Sequence, residues 1–185
     1  MISNKLIILA AAGLLLCGTV GAQNYSVSTN VLDYANLGTL NVEASCGIAR
    51  QWSLCAGVKY NPFSFGDGEK EVALRQRSIE TGARFWPWHI FSGWWLGAKL
   101  KYQEYREGGI KGPSSMEGDR YGGGLSAGYA FMLNTHLNLD IGVGLWGGYD
   151  KWRTYDCMRC GKVMGTGDDI FFRPNDILLT LSYIF

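Results

Sequence analysis

Three stretches of this chain alternate with a period of two, and two of them are bracketed by aromatic residues. In WSLCAGVKY, Trp52, Leu54, Ala56, Val58 and Tyr60 share one face, opposite Ser53, Cys55, Gly57 and Lys59. In WWLGAKLKY, Trp94, Leu96, Ala98, Leu100 and Tyr102 oppose Trp95, Gly97, Lys99 and Lys101. In LNLDIGVGLWGGY, Leu137, Leu139, Ile141, Val143 and Leu145 oppose Asn138, Asp140, Gly142 and Gly144. Such alternation specifies strands with one apolar and one polar face. No sustained stripe at the helical period competes with it.

Two folds use this pattern. A soluble sandwich turns the apolar faces inward, whereas a transmembrane barrel turns them toward lipid and keeps the polar faces in the lumen. The aromatics decide between them. Trp52 to Tyr60, Trp94 to Tyr102, and Tyr121 to Tyr129 are each eight steps apart. At about 3.3 Å per residue and a tilt of about 40°, that is roughly 20 Å of height, close to a bilayer's apolar band with its two aromatic girdles. Small and polar residues fill the opposite faces, as the interior of a narrow barrel requires.

Candidate strands run over 25–33, 39–48, 52–61, 77–87, 93–105, 120–132, 137–150 and 175–185. Short turns fall at 49–51, 88–92 and 134–136, and longer loops at 62–76, 106–119 and 151–174, with one short connection at 34–37. Short connections on one side and long ones on the other match an outer-membrane barrel with its N-terminus in the periplasm and its long loops outside the cell. The expected fold is therefore all-β, an eight-stranded antiparallel up-and-down transmembrane β-barrel. The final stretch, DILLTLSYIF, alternates up to Phe185, as expected of a last strand that closes against the first.

The first residues differ in kind. Lys5 precedes the apolar run Leu6 to Leu16 and the small residues GTVGAQ. A run of that length is too short to span a bilayer and predicts a secretory signal over 1–22, cleaved after Ala22 and leaving the barrel over 23–185. Cys17 raises a lipoprotein anchor as an alternative, against which Leu16 is the wrong size. Charged residues are 18% of the chain and formal net charge is +1, so a basic nucleic-acid-binding face is not indicated.

The chain also resembles the DUF3575 family of Bacteroidota outer-membrane proteins. The matching stretches are TNVLDYANLGTLNVEASCGIARQWSLCAGVKYNPFSF, DRYGGGLSAGYAFMLNTHLNLDIGVGLWGGYDK, CMRCGK and the terminal LSYIF. The resemblance implies an outer-membrane barrel from a Bacteroides-like bacterium, with outer-membrane lipid and lipopolysaccharide around it. Tyr183 and Phe185 resemble the C-terminal signal read by the barrel-assembly machinery. By physics alone Phe185 is an interfacial aromatic.

The expected lumen carries Glu43, Glu80 and Asp140 beside Lys59, Arg84, Lys99 and Lys101. Eight strands leave just enough room for side chains, and buried charges must pair, so these residues predict an interior salt-bridge network. A narrow pore or small-ligand pocket is the alternative reading. Cys157 and Cys160 form a C-x-x-C pair in the last outer loop, where a local disulfide fits an oxidising compartment better than a zinc site. The histidines, His89 and His136, fall at the opposite end, and no cofactor or metal is expected. Cys46 and Cys55 flank a tight turn; with Ile48 facing Trp52 they fall on opposite faces and are expected unpaired, whereas a register shift of one would place them opposite each other and let them bond.

An enzyme at the outer rim would have Ser114, Ser115, Asp119, Asp168 and Asp169 to work with but no histidine base, so a lipid- or protein-modifying enzyme ranks last. Asp168, Asp169 and Glu117 match no calcium loop. Gly122-Gly123-Gly124 lies within a strand pattern and is read as relief of crowding in a bent wall. The aromatics Phe63, Phe65, Tyr105, Tyr121, Tyr149, Trp152 and Tyr155 are read as rim anchors, with loop aromatics such as Phe65 and Tyr155 open to a surface protein or glycan partner. The expected function is non-enzymatic, a structural or surface-interaction role through the outer loops.

Overall fold

A computed structural model describes residues 25–35, 38–65, 72–108, 114–157 and 162–185. The strands are β1 Tyr25–Asn30, β2 Leu40–Ala49, β3 Trp52–Asn61, a two-residue β4 Ser64–Phe65, β5 Val72–Phe85, β6 Gly93–Gly108, β7 Ser115–Met132, β8 Leu137–Tyr155 and β9 Val163–Ile184. Each pairs antiparallel with its neighbour in sequence, except that β3 pairs directly with β5 and β4 lies on the edge of β5. The pairing of β1 with β9 closes the ring, from Ser26 opposite Ile184 to Asn30 opposite Thr180. Setting β4 aside, this is a closed, eight-stranded, up-and-down barrel.

The alternation sorts side chains as expected. Leu100 is 67% exposed, Leu125 69% and Val143 63%, all on the outward face. Ser53, Glu80, Lys101, Asn138 and Asp140 are buried on the inward face. The wall is an inside-out core, polar within and apolar without. All six predicted girdle residues lie on outward rows, where Trp94 packs edge-on against Tyr129 with ring centroids 5.2 Å apart.

Hereafter the lower end is the one with the turns at 49–52, 86–92 and 133–136, and the upper end is the other. The wall is lopsided above. β1 has 6 residues and β2 and β3 have 10 each, whereas β8 has 19 and β9 has 22. Long loops are expected over 62–76, 106–119 and 151–174, and much of those stretches is instead strand. β5 and β6 pair up to Ala73 opposite Gly108, β6 and β7 up to Gly108 opposite Ser115, and β8 and β9 up to Tyr155 opposite Val163. These upper segments carry polar residues on both faces, such as Arg106 next to Glu107 and Asp150 next to Lys151. Hydrophobic periodicity is therefore silent there, although the backbone still gains by pairing.

A second correction concerns 31–35. A strand is expected to reach residue 33, but Val31–Ala35 is a single helical turn, α1. Asn30 is the reason. Its Oδ1 accepts from the backbone N–H of Leu32 at 3.3 Å, as a helix N-cap does. The same amide accepts from Leu179 N at 3.1 Å and donates to Ile177 O at 3.4 Å, so it also takes over the edge of β9 where β1 departs. The predicted signal segment, 1–22, lies outside the described residues.

Candidate functional site

The lumen is the candidate site, and it is built in layers. At the lower end the segment Trp86–Ser92, expected as the end of a strand at 87 and a turn at 88–92, leaves the wall after Phe85 and folds into the barrel mouth. Trp86, Ile90, Phe91 and Trp95 pack with Ala130, Leu178 and Ile184 as an apolar plug. Backbone bonds tie the segment to the neighbouring turn: Trp86 N donates to Gln51 O at 2.8 Å and Ile90 N to Arg50 O at 3.3 Å. The Trp86 indole N–H reaches Ser53 Oγ at 3.0 Å, and Asn138 Nδ2 donates to Phe91 O. Phe91 adopts a left-handed φ of 61°, a conformation a bulky residue takes only when its surroundings hold it there. Small residues make room for Trp95: a Cβ on Gly128 would lie 2.6 Å from its ring and 2.4 Å from Ile141 O.

Above the plug lies the ionic layer. Arg84 Nη2 donates to Glu43 Oε1 at 2.6 Å, and Lys99 Nζ bonds both Glu43 Oε2 and, at 2.9 Å, Glu80 Oε1. Asp140 Oδ2 sits 3.9 Å from Arg84 Nη1 and accepts from Ser182 Oγ at 3.1 Å. Arg84 also lies over the Trp95 ring, 4.7 Å from its centroid, which couples the two layers. Glu43, Glu80, Arg84, Lys99 and Asp140 thus form the predicted network. Its two other predicted members take different partners: Lys59 Nζ meets Asp33 Oδ2 at 2.8 Å, and Lys101 Nζ lies 4.7 Å from the Trp146 ring centroid. Asp33, on α1, is absent from the sequence reading, because a residue expected at a strand end gives no sign that a helical turn will aim it at the lumen. A cavity of about 30 Å3 remains beside Glu43, Lys59, Glu80 and Arg84, room enough for water.

The upper lumen holds a second polar cluster. Arg120 Nε donates to Asp150 Oδ2 at 2.7 Å and its Nη1 to Glu107 Oε1 at 3.2 Å. Tyr105 OH donates to Asp150 Oδ1 at 2.8 Å, and the Arg120 guanidinium stacks 3.5 Å from the Tyr105 ring centroid. Burial, and next the bond to Asp150, push the Tyr105 phenol above its ordinary range. Tyr105 is expected as a rim anchor, yet it is 4% exposed and faces inward. An odd number of residues separates it from the outward Tyr102 and Glu104, and that parity assigns it to the lumen.

The remaining predicted sites separate. Cys157 is disulfide-bonded, while Cys160 lies outside the described residues. Cys55 is free and faces the lumen. Cys46 is opposite Leu54, not Cys55, and is half of a disulfide, which corrects the expectation that both are unpaired. His89 and His136 stand at the lower end, where His136 Nδ1 is 3.0 Å from Ile184 O. Asp168 lies opposite Lys151 and Asp169 opposite Asp150, with Asp169 Oδ2 accepting from the Trp152 indole at 3.0 Å. The side chain of Phe65 lies outside the described residues.

The described residues thus form a barrel with a filled lumen under an apolar outer wall. A family described as "Protein of unknown function (DUF3575)" matches residues 6–185. The chain belongs to the DUF3575 family. No curated protein matches it. The match spans every described strand of the barrel, so the plug, the ionic layer and the extended upper wall all fall within the DUF3575 region.

Proposed function

We propose that this DUF3575 protein is a non-enzymatic outer-membrane barrel whose closed lumen is a rigid support and whose upper wall is an interaction surface outside the cell. The observation that carries the reading is the exposed apolar band between the two rows of aromatics. Leu96, Leu100, Leu125 and Val143 are each more than half exposed, and a surface of that extent on a soluble monomer would be a severe aggregation liability. In lipid the same surface is the expected one. The short turns then face the periplasm, together with the N-terminus of β1, and the extended strands of β6 to β9 stand above the membrane. A Bacteroidota source accords with the resemblance described above.

The lumen supports a sealed barrel over a pore. The Trp86–Trp95 plug, the Glu43–Arg84–Lys99 layer and the Arg120–Asp150 cluster stand in series along the axis, each on buried side chains. An enzyme reading fares worse, since both histidines sit at the periplasmic end, away from the upper serines and aspartates.

Outer-membrane fractions run unboiled and boiled in detergent test the reading. The unboiled band should migrate faster, as a folded barrel does. A soluble periplasmic protein without a heat shift would sink it. In planar bilayers the purified barrel should give no steady channels, and steady conductance would replace the sealed support with a pore.

A further inference from the structure

We infer that the open edge of β9 at the upper end is a docking site for an extended peptide segment of an extracellular partner, which adds to the wall as one more strand. The inference rests on the proposed surface role and names the kind of partner and the residues that receive it.

β1 stops at Asn30, opposite Thr180, whereas β9 runs on up to Val163. The Asn30 amide covers the next groups, the Leu179 N–H and the Ile177 carbonyl. Beyond Ile177, β8 is the one strand beside β9 among the described residues. Strand direction and outward face together fix the edge to which a residue's N–H and C=O point. Leu179 and Ile177 are outward and point theirs to the β1 side, so the outward residues above them do the same. The ladder skips one residue between Asp176 and Pro174, which makes those outward residues Pro174, Phe172, Ile170, Asp168 and Thr166. Pro174 has no N–H, and a strand accepts that where no neighbour needs the donor. Each of the others presents a donor and an acceptor at this edge. Ile170 is 78% exposed and Phe172 73%, so the edge is open. Ile170 is directly opposite Tyr149, which stacks on the girdle residue Tyr121, so Asp168 and Thr166 stand beyond the aromatics.

The matching edge across the gap is treated differently. β5 also outruns its neighbour β3, but there the chain folds back and lays Ser64 and Phe65 opposite Ala73 and Val72. Sheets blunt such edges against unwanted pairing. The β9 edge carries no such strand among the described residues. A row of backbone donors and acceptors at strand spacing is complementary to another extended chain.

Symmetry and charge choose the occupant. Two copies in one membrane are related by an axis along its normal, which leaves both β9 strands running the same way. They cannot pair antiparallel, so the edge suits a separate chain better than a neighbouring copy. Charge sets the pattern of that chain. Arg77, Glu104, Asp119, Lys151 and Asp168 lie opposite one another in turn across β5 to β9. Asp168 ends that row at the open edge, and opposite charges on facing strands stabilise a sheet. The incoming strand therefore carries Lys or Arg opposite Asp168 and apolar side chains opposite Ile170 and Phe172.

The probe is a library of short random peptides displayed on phage and selected on the full mature barrel folded in detergent. Selected peptides should alternate apolar and polar residues and carry Lys or Arg at one fixed place. Methylating alternate backbone nitrogens of a selected peptide removes its edge donors and should weaken binding by about tenfold or more. Thr166→Pro deletes a donor of the open edge without touching the β8 ladder and should weaken binding too. Asp168→Lys should turn the selection toward peptides with Asp or Glu at the fixed place. Amide hydrogen exchange reads the edge directly. The N–H groups of Thr166, Asp168 and Ile170 should exchange freely in the barrel alone and become protected with a selected peptide, while Gly167 and Asp169, whose groups face β8, stay protected throughout. Protection of the first three in the barrel alone, undiminished binding of the methylated peptide, or binding unmoved by both variants overturns the site. Association of barrels with one another that Thr166→Pro abolishes overturns the separate partner. The heat-shift gel, run on every variant, separates the two failures: a retained shift with no alternating peptide selected removes this inference alone, and a wild type without a shift removes the membrane reading and this site with it.

Discussion

Two adjacent slices of the lumen are closed by opposite chemistry. The lower slice is apolar and is filled mainly from a turn, by Trp86, Ile90 and Phe91, with Trp95 from β6. The slice above it is ionic and is filled wholly from strand positions, by Glu43, Glu80, Arg84, Lys99 and Asp140. Dispersion and burial are non-directional, so an irregular turn can supply a plug wherever its side chains reach. Buried charges need partners at hydrogen-bonding distance, and only the fixed registry of neighbouring strands delivers them there. The barrel therefore places its tolerant layer at the mouth and its demanding layer where the wall is most regular.

The sharpest way to break this contrast is Glu43→Gln. Glu43 bonds both Arg84 and Lys99, and the substitution leaves two buried cations short of a counter-charge, at a cost of about 4 kcal/mol. Urea unfolding in lipid micelles, followed by tryptophan fluorescence, reads the loss. A change below about 1 kcal/mol would mean that the layer is hydrated and its pairs are weak.

Trp86→Ala tests the apolar slice by the same measurement. The expected loss is about 3 kcal/mol, because Phe91 and Trp95 can partly close over the space. Neither variant alone should conduct ions in a planar bilayer, since the other slice still closes the lumen. Steady channels from either one would show that a single layer is the seal. Gly128→Ala should cost less, about 2 kcal/mol, by forcing a methyl against the Trp95 ring and the Ile141 carbonyl. An unchanged midpoint would show that the ring can move aside and that the plug is looser than its packing implies.

The smallest effect is a pH dependence at the upper end. Burial and its bond to Asp150 raise the Tyr105 phenol in the folded protein. The neutral form is thus the one the fold favours. The stabilisation is fully present below the ordinary tyrosine value of about 10 and declines as pH rises from there toward the raised folded value. Tyr105→Phe should be slightly less stable than wild type at pH about 8 and should lose less stability on going to pH about 11. Parallel pH profiles for the two proteins would remove Tyr105 from the account.

Much of the wall was legible because a strand's side-chain period is fixed by its geometry. Once Trp52 to Tyr60 and Trp94 to Tyr102 alternate, their faces follow, and the aromatic spacing sets the height of the apolar band. The predicted charged positions, Glu43, Glu80, Arg84, Lys99 and Asp140, needed only that parity to be assigned to the interior. The upper wall was hidden for the complementary reason. Polar residues on both faces of 106–119 and 151–174 leave no hydrophobic period, so strands read as loops.

What the tertiary structure alone decided is who meets whom. Register places Glu43 between Arg84 and Lys99, strands far apart in the sequence, and closure of β1 on β9 brings Asp140 and Ser182 to the same layer. The Asn30 cap turns Asp33 toward Lys59, and one residue of phase moves Tyr105 from the rim to the interior. The plug itself depends on a strained Phe91 held by Asn138, an arrangement no local pattern announces. Which faces are apolar follows from residue order alone, since that is set within each strand. The partners inside the barrel came from its closure, since they are set between strands by shear and register.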